Sequence, residues 1–211
     1  MNERIRKILE FARGDILNIG CVGSHPKDSK YWLHGLLSQK FKNVVGIDIN
    51  VKEIKHFEKD YKCYVANAEN FELDMKFDTI VAGELIEHLS NPGLFLNQAK
   101  KHLKENGILI ITTPYPFSLI NFIYALLKFP NTCSNPEHTC WFCPKTLQEL
   151  ARRYNYNVVY MDLVEDYYDN VPSLLYKIFV KIIKPFLPKR LKNNCIFLVL
   201  KPIAAFHPRR S

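Results

Sequence analysis

The chain has 211 residues, 47% of them hydrophobic and 24% charged, with a formal net charge of +8. This length suits one domain able to bury a substantial core, and the composition is that of an ordinary globular protein. No apolar run approaches the roughly 20 residues that a membrane span requires.

The opening MNERIRKILEFARGD alternates charge with apolar residues at helical spacing. It carries no apolar core or cleavage site of a secretory signal, so the expected location is cytoplasmic. Residues 3–12 form the first expected helix, with Ile5, Ile8, Leu9 and Ala12 on one face. Ile16, Leu17 and Ile19 are too short a run for a helix and suit a strand buried on both faces. Gly20 and Gly23 then permit a sharp turn and a close approach of backbone to ligand. Trp32, Leu33, Leu36, Leu37 and Phe41 recur at helical spacing, and Val44 to Ile47 make a second strand ending on Asp48. An acidic residue there can accept hydrogen bonds from both hydroxyls of a ribose. The glycine loop and this carboxylate face one crevice, which makes a nucleoside-shaped site. The dinucleotide pattern G-x-G-x-x-G is incomplete, because GCVGS lacks a third glycine.

Beyond Asp48, residues 51–59 read as a helix and 62–65 as a short strand leading into ANAENF. Phe77 to Ala82 is the fourth expected strand. Asn91 caps a helix with Pro92 at its first position, Leu94, Phe95, Ala99 and Leu103 form the buried face, and Gly107 ends it. Ile108 to Thr112 is the fifth strand. Tyr115 to Lys128 is almost wholly apolar. Tyr156 to Val164 is the sixth strand, residues 171–183 an apolar-faced helix, and Cys195 to Leu200 the last strand.

The loop GCVGS and the string FDTIVAGELIEHLSNP resemble motifs of the class I S-adenosylmethionine-dependent methyltransferases, in particular those of the ubiquinone-biosynthesis O-methyltransferase type. In the first motif only Gly20 and Cys21 match strictly. Asn18 stands for the usual acidic residue, Val22 for the second glycine and Ser24 for the third. Residues 135–156 resemble the family's His, aromatic, Ser-Pro-x-x-Leu segment, with His138 on its histidine and Cys143 on its serine. The resemblance implies an α/β fold: a doubly wound, Rossmann-like seven-stranded sheet with helices on both faces and a C-terminal antiparallel hairpin. It implies one methyltransferase domain over residues 1–211, with helical cap insertions at about 115–143 and 166–193. It also implies S-adenosylmethionine as cofactor, held by Gly20, Cys21, Val22, Asp48, Ile49, Asn67, Ala68, Glu69, Gly83 and Glu84. The expected reaction is methyl transfer to a small-molecule acceptor, at oxygen. The alternatives are a non-catalytic S-adenosylmethionine-binding partner subunit and a nicotinamide-dependent oxidoreductase.

Glu84, Glu87 and His88 fall at the carboxyl end of the fourth strand, where open α/β sheets bind ligands. Three readings compete: His88 as general base, a divalent cation on all three residues, or a structural role. The cation is the least favoured, and no metal ligand is assigned. His138 is the second catalytic candidate, set against a loop histidine that packs locally. His25 and His34 are expected to be surface or helix residues.

Six cysteines occur. Cys21, Cys63 and Cys195 lie in or beside strands and read as small apolar residues. Cys133, His138, Cys140 and Cys143 are zinc-ligand types at a spacing of no standard finger. The basic excess sits late, at Lys177, Lys181, Lys184, Lys189, Arg190, Lys192, Lys201, Arg209 and Arg210. No RNA-binding motif accompanies it, so nucleic acid is not an expected partner. The preferred reading of this charge is a solvated basic surface, and of the apolar segments 115–129 and 171–183 a lid over the strand ends. Peripheral contact with an anionic membrane is the sharper alternative, and oligomeric state is open.

Overall fold

The computed structural model describes residues 2–27, 29–127, 135–166, 182 and 184–203. The expected helix at 171–183 lies outside them, apart from residue 182, and so does Cys133. In chain order the elements are α1 (Glu3–Phe11), β1 (Ile16–Ile19), α2 (Leu33–Lys40), β2 (Val44–Asp48), α3 (Val51–Phe57), β3 (Cys63–Val65) and β4 (Phe77–Gly83). A 3-10 turn (Ile86–His88) leads to α4 (Pro92–His102), β5 (Leu103–Pro114), α5 (Leu119–Leu127), α6 (Pro144–Arg153) and β6 (Tyr156–Val164). A second 3-10 turn (Lys184–Phe186), α7 (Lys189–Lys192) and β7 (Cys195–Pro202) complete the described chain.

The seven strands form one sheet in the order β3-β2-β1-β4-β5-β7-β6. β1 pairs in parallel with β2 and β4, and β4 with β5. β7 inserts antiparallel between β5 and β6. The Rossmann-like order and the antiparallel C-terminal pair agree with the sequence reading. Alternate residues of β1 enter different layers, as strand geometry requires. Ile16 packs with Ile5, Ile8 and Leu9 of α1 on one face. Leu17 and Ile19 pack with Phe95, Leu96 and Ala99 of α4 on the other.

Two expectations need correction. Helix α4 ends at His102, and Gly107 lies inside β5. Between the Phe77–Leu103 and Thr79–Ile108 pairs the register slips, so residues 104–107 bulge opposite Asp78. The slip lets Lys104 reach Asp15 at 2.6 Å and Asp78 at 2.7 Å. The buried face of α4 uses Leu96 and His102, whereas Leu94 is 47% exposed. Helical spacing cannot tell these neighbouring rows apart, because both lie near the stripe edge. Among the described residues, no helix is long and apolar enough to cross a membrane.

Phe197 anchors the layer under α1. It is fully buried, with ring centres 5.5 Å from Phe11 and 6.0 Å from Tyr160. Phe197→Ala is expected to cost about 3–5 kcal/mol of stability, read as a lowered urea midpoint with unchanged slope.

Candidate functional site

The crevice at the carboxyl ends of β1 and β2 is built by backbone first. Gly20 and Gly23 take φ of 75° and 62°, which a side chain would strain. The N–H groups of Gly20 and Cys21 both donate to Ile47 O, at 2.8 and 3.1 Å. The loop is thereby folded onto the end of β2. Val22 N–H then donates to Asp48 Oδ2 and Asn50 N–H to Asp48 Oδ1, each at 3.0 Å. One carboxylate thus ties the glycine loop to the start of α3. Each of its oxygens keeps a further lone pair for a ligand hydroxyl. Ile49 follows, 69% exposed. In the next loop Asn67 is exposed, and its Oδ1 accepts from Glu69 N–H at 2.9 Å. Glu69 Oε1 accepts from Asn91 N–H, which links this loop to the cap of α4. Ala68 is buried in the core.

Gly83 and Glu84 close the other wall. A Cβ on Gly83 would stand 3.1 Å from both Arg4 Nη1 and Leu33 Cδ2, so glycine admits the guanidinium. Glu84 has φ of 53°, and its N–H donates to Thr112 O at 2.9 Å. Arg4 pairs with Asp166 at 2.8 Å. Burial pushes the Glu84 carboxyl up to about 7, with Arg4 opposing and Asp166 adding to the rise. The linear reading missed Arg4. The available signal was its place on the α1 stripe, one turn before Ile8, where an arginine is not expected.

A second constellation lies on the 3-10 turn after β4. Glu87 is 1% exposed; its Oε2 accepts from Thr113 Oγ1 at 2.9 Å, and its Oε1 has no hydrogen-bond partner. Burial, then repulsion from Glu84, holds its carboxyl well above the usual range. Thr139 stitches the distant 138 loop onto this turn. Its N–H donates to Glu87 O at 2.8 Å, and its hydroxyl lies 3.0 Å from Glu87 O and 2.8 Å from Leu89 O. His138 is thereby set edge-on against His88, ring centres 4.6 Å apart, with Nδ1 buried and unpartnered. Burial, and then His88, depress its pKa, so His138 is neutral at pH 7.

Ligand atoms of Glu87, His88 and His138 lie within 4.8 Å of one another. The acidic trio read from the sequence does not form: Glu84 turns instead to Cys195, whose Sγ lies 3.5 Å away. The cysteine set is not assembled among the described residues either. Cys140 Sγ lies 3.9 Å from Ile86 O, and Cys143 caps α6 with Thr146. His34 lies on α2 and is fully buried there. Next to His138, Trp141 borders a cleft of about 400 Å³ that Pro116, Phe117, Asn121, Ala125 and Phe142 also line.

Two outcomes follow from this geometry. Asp48→Asn leaves one amide oxygen for both N–H donors and should weaken S-adenosylhomocysteine binding by about 1.5–3 kcal/mol in calorimetry. Glu84 binds its proton more tightly folded than unfolded, so between pH 4.5 and about 7 its contribution makes stability fall as pH rises. Glu84→Gln should flatten that slope in urea titrations at a series of pH values.

A family model described as a methyltransferase domain matches residues 1–161. The ubiquinone biosynthesis O-methyltransferase of Pelagibacter ubique is 30% identical over 166 residues, covering 70% of this chain. This chain spans 63% of that relative's length. A SAM-dependent methyltransferase structure from Archaeoglobus fulgidus superposes with a TM-score of 0.66 at 18% identity, covering 94% of this chain and 91% of that one. One from Methanosarcina mazei gives 0.62 at 18%, covering 93% and 97%. At these identities the structural likeness speaks for the fold. The nicotinamide alternative is set aside by the family match. A glycine loop tied to Asp48, a β7 inserted antiparallel beside β5, and a family match over residues 1–161 lead to one conclusion: the chain belongs to the class I S-adenosylmethionine-dependent methyltransferase family.

Proposed function

We propose that this chain methylates a hydroxyl of a small aromatic acceptor, held in the cleft between α5 and α6. The observation that carries the reading is His138, neutral, with an unpartnered Nδ1, placed between His88 and the aromatic wall of that cleft. The name of the Pelagibacter relative supports oxygen as the methylated atom.

In this reading Gly20, Cys21 and Val22 present backbone to the cofactor, and Asp48 takes its ribose hydroxyls. Ile49 offers an apolar surface to the adenine, with Asn67, Ala68 and Glu69 forming the loop at its edge. Arg4, over Gly83 and beside Glu84, supplies a cation for the carboxylate end. S-adenosylmethionine, when bound, supplies a sulfonium methyl open to in-line displacement. The residues chiefly fix the approach of two reactants, which is worth several orders of magnitude in rate. His138, supported by His88, accepts the acceptor's proton. The domain is single, and the described residues 115–127 and 135–143 serve as part of its cap; most of the expected cap segment at about 166–193 lies outside the described residues. Phe117, Phe122 and Leu126 are 58–66% exposed and give a lipid-soluble acceptor, or the membrane that holds it, a surface to meet. The chain acts in the cytoplasm.

A second reading is favoured by the two unpartnered buried atoms, Glu87 Oε1 and His138 Nδ1. Glu87, His88 and His138 would hold a divalent cation, which would supply Lewis acidity at the acceptor oxygen.

Incubation with S-adenosylmethionine and a panel of phenols and catechols tests the reading by product mass. His138→Gln should lower kcat by about 10²–10⁴ while leaving S-adenosylhomocysteine affinity nearly unchanged. The acidic limb of the wild-type profile should lie below the ordinary imidazole value of about 6.5, because burial depresses His138. Loss of activity on chelation, restored by manganese or magnesium, would select the cation reading. Tight cofactor binding without product from any acceptor would leave the partner-subunit reading.

A further inference from the structure

Asn18 of β1, Gly46 of β2 and Cys63 of β3 are register partners in one row across the sheet. A Cβ on Gly46 would stand 2.7 Å from Cys21 Sγ and 2.9 Å from Cys63 Sγ. The missing side chain is therefore the space that both thiols occupy. Their sulfurs are 3.9 Å apart, and both residues are buried. His34 enters the same space from α2. Its Nε2 lies 3.4 Å from Cys63 Sγ, and its Nδ1 lies 3.4 Å from Asn18 Nδ2.

Asn18 Oδ1 is buried without a partner. The two ends of an amide are alike in shape, and a half-turn of this one places Oδ1 against His34 Nδ1. The His34 Nδ1–H then donates to Asn18, and the Nε2 lone pair faces the Cys63 thiol. The result is an Asn–His–Cys relay with a second thiol at its end. Such a relay is one way to activate a cysteine. The hydrogen bond from Cys21, and after it the contact with His34, draw the Cys63 thiol down to about 5 against the effect of burial. The same bond holds the Cys21 thiol in its protonated form.

We propose that Cys21 and Cys63 form a reversible disulfide under hydrogen peroxide, and that this bridge disables the cofactor loop. The Cys63 thiolate attacks one peroxide oxygen and the O–O bond breaks. The departing hydroxide takes the proton that His34 received from Cys63, giving water and a sulfenic acid at Cys63. The Cys21 sulfur then attacks Cys63 Sγ, and the S–O bond breaks. The leaving hydroxide takes the Cys21 proton as a second water. Two thiols are oxidised and one peroxide is reduced, with no further reactant.

Bridging must bring the sulfurs from 3.9 Å to about 2 Å. Cys21 sits where movement matters most. Its N–H is bonded to Ile47 O, its carbonyl accepts from Trp32 Nε1 at 2.9 Å, and the next N–H is held by Asp48. A shift of this peptide breaks the loop's grip on Asp48. Peroxide is little larger than water, and Gly23 and Ser24 beside Cys21 are exposed, so the crevice gives it access when no cofactor fills it. The proposal uses the cofactor crevice and is independent of the acceptor.

The full chain is treated with hydrogen peroxide, with and without S-adenosylhomocysteine, then alkylated in denaturant and mapped by non-reducing peptide mass spectrometry. The expected product joins the Cys21 and Cys63 peptides and forms more slowly when S-adenosylhomocysteine is bound. Calorimetry on the bridged protein should show S-adenosylhomocysteine affinity lowered about tenfold or more, restored by dithiothreitol. Cys63→Ala should keep its own affinity through peroxide treatment; should that variant not fold, Cys63→Ser takes its place. Cys21 and Cys63 that both remain alkylatable while Cys140 or Cys143 oxidises would overturn the proposal. So would a bridged protein that binds as tightly as the reduced one.

Discussion

The site depends on one constraint: β1 is paired on both sides along its whole length. Ile16 to Ile19 run in register with Val44 to Ile47 and with Thr79 to Ala82. Three parallel strands therefore end together. The glycine loop, Asp48 and the Gly83–Glu84 step reach one edge because the ladder leaves them no other place. Buried parallel strands carry apolar residues throughout, so the polar groups gather where the strands stop. The antiparallel β7 then packs Cys195 behind Glu84 and fixes the depth of that wall.

Charge at this edge is controlled by burial. Arg4 is the fixed cation, paired with Asp166 and close to Glu84. Burial, and then Glu84, raise the Glu87 carboxyl well above its usual range, with Arg4 opposing. Desolvation thus favours the uncharged forms of Glu87 and His138 at the corner next to the aromatic cleft, which suits an apolar acceptor better than an ionic one. A cation at Glu87, His88 and His138 would need the Glu87 carboxyl ionised, so its binding would weaken at low pH. The lowered His138 and the raised Glu87 are two consequences of the same desolvation, acting on a base and an acid.

Much of this was legible in the linear chain. Ile16–Ile19 and Val44–Asp48 are short apolar runs of strand length, and the glycines between them have a local steric reason. The Asn91–Pro92 cap and the Cys143 cap are likewise local, and both helices begin where these residues place them. Gly107 misled for the same kind of reason. A glycine after a helical pattern reads as a terminator, yet pairing with β4 took residues 103–107 into the strand.

The sequence by itself determined the order of elements, the glycine loop and the acidic strand end, because each follows from periodicity, turn chemistry or a contiguous motif. Only the tertiary structure decided which distant side chains meet. Thr139 brings His138 to His88, Arg4 crosses from α1 to Gly83, and Gly46 leaves the gap where His34, Cys21 and Cys63 converge. Such contacts are set by strand register and by the depth at which helices pack. Neither quantity has a signature in the spacing of residues along one chain.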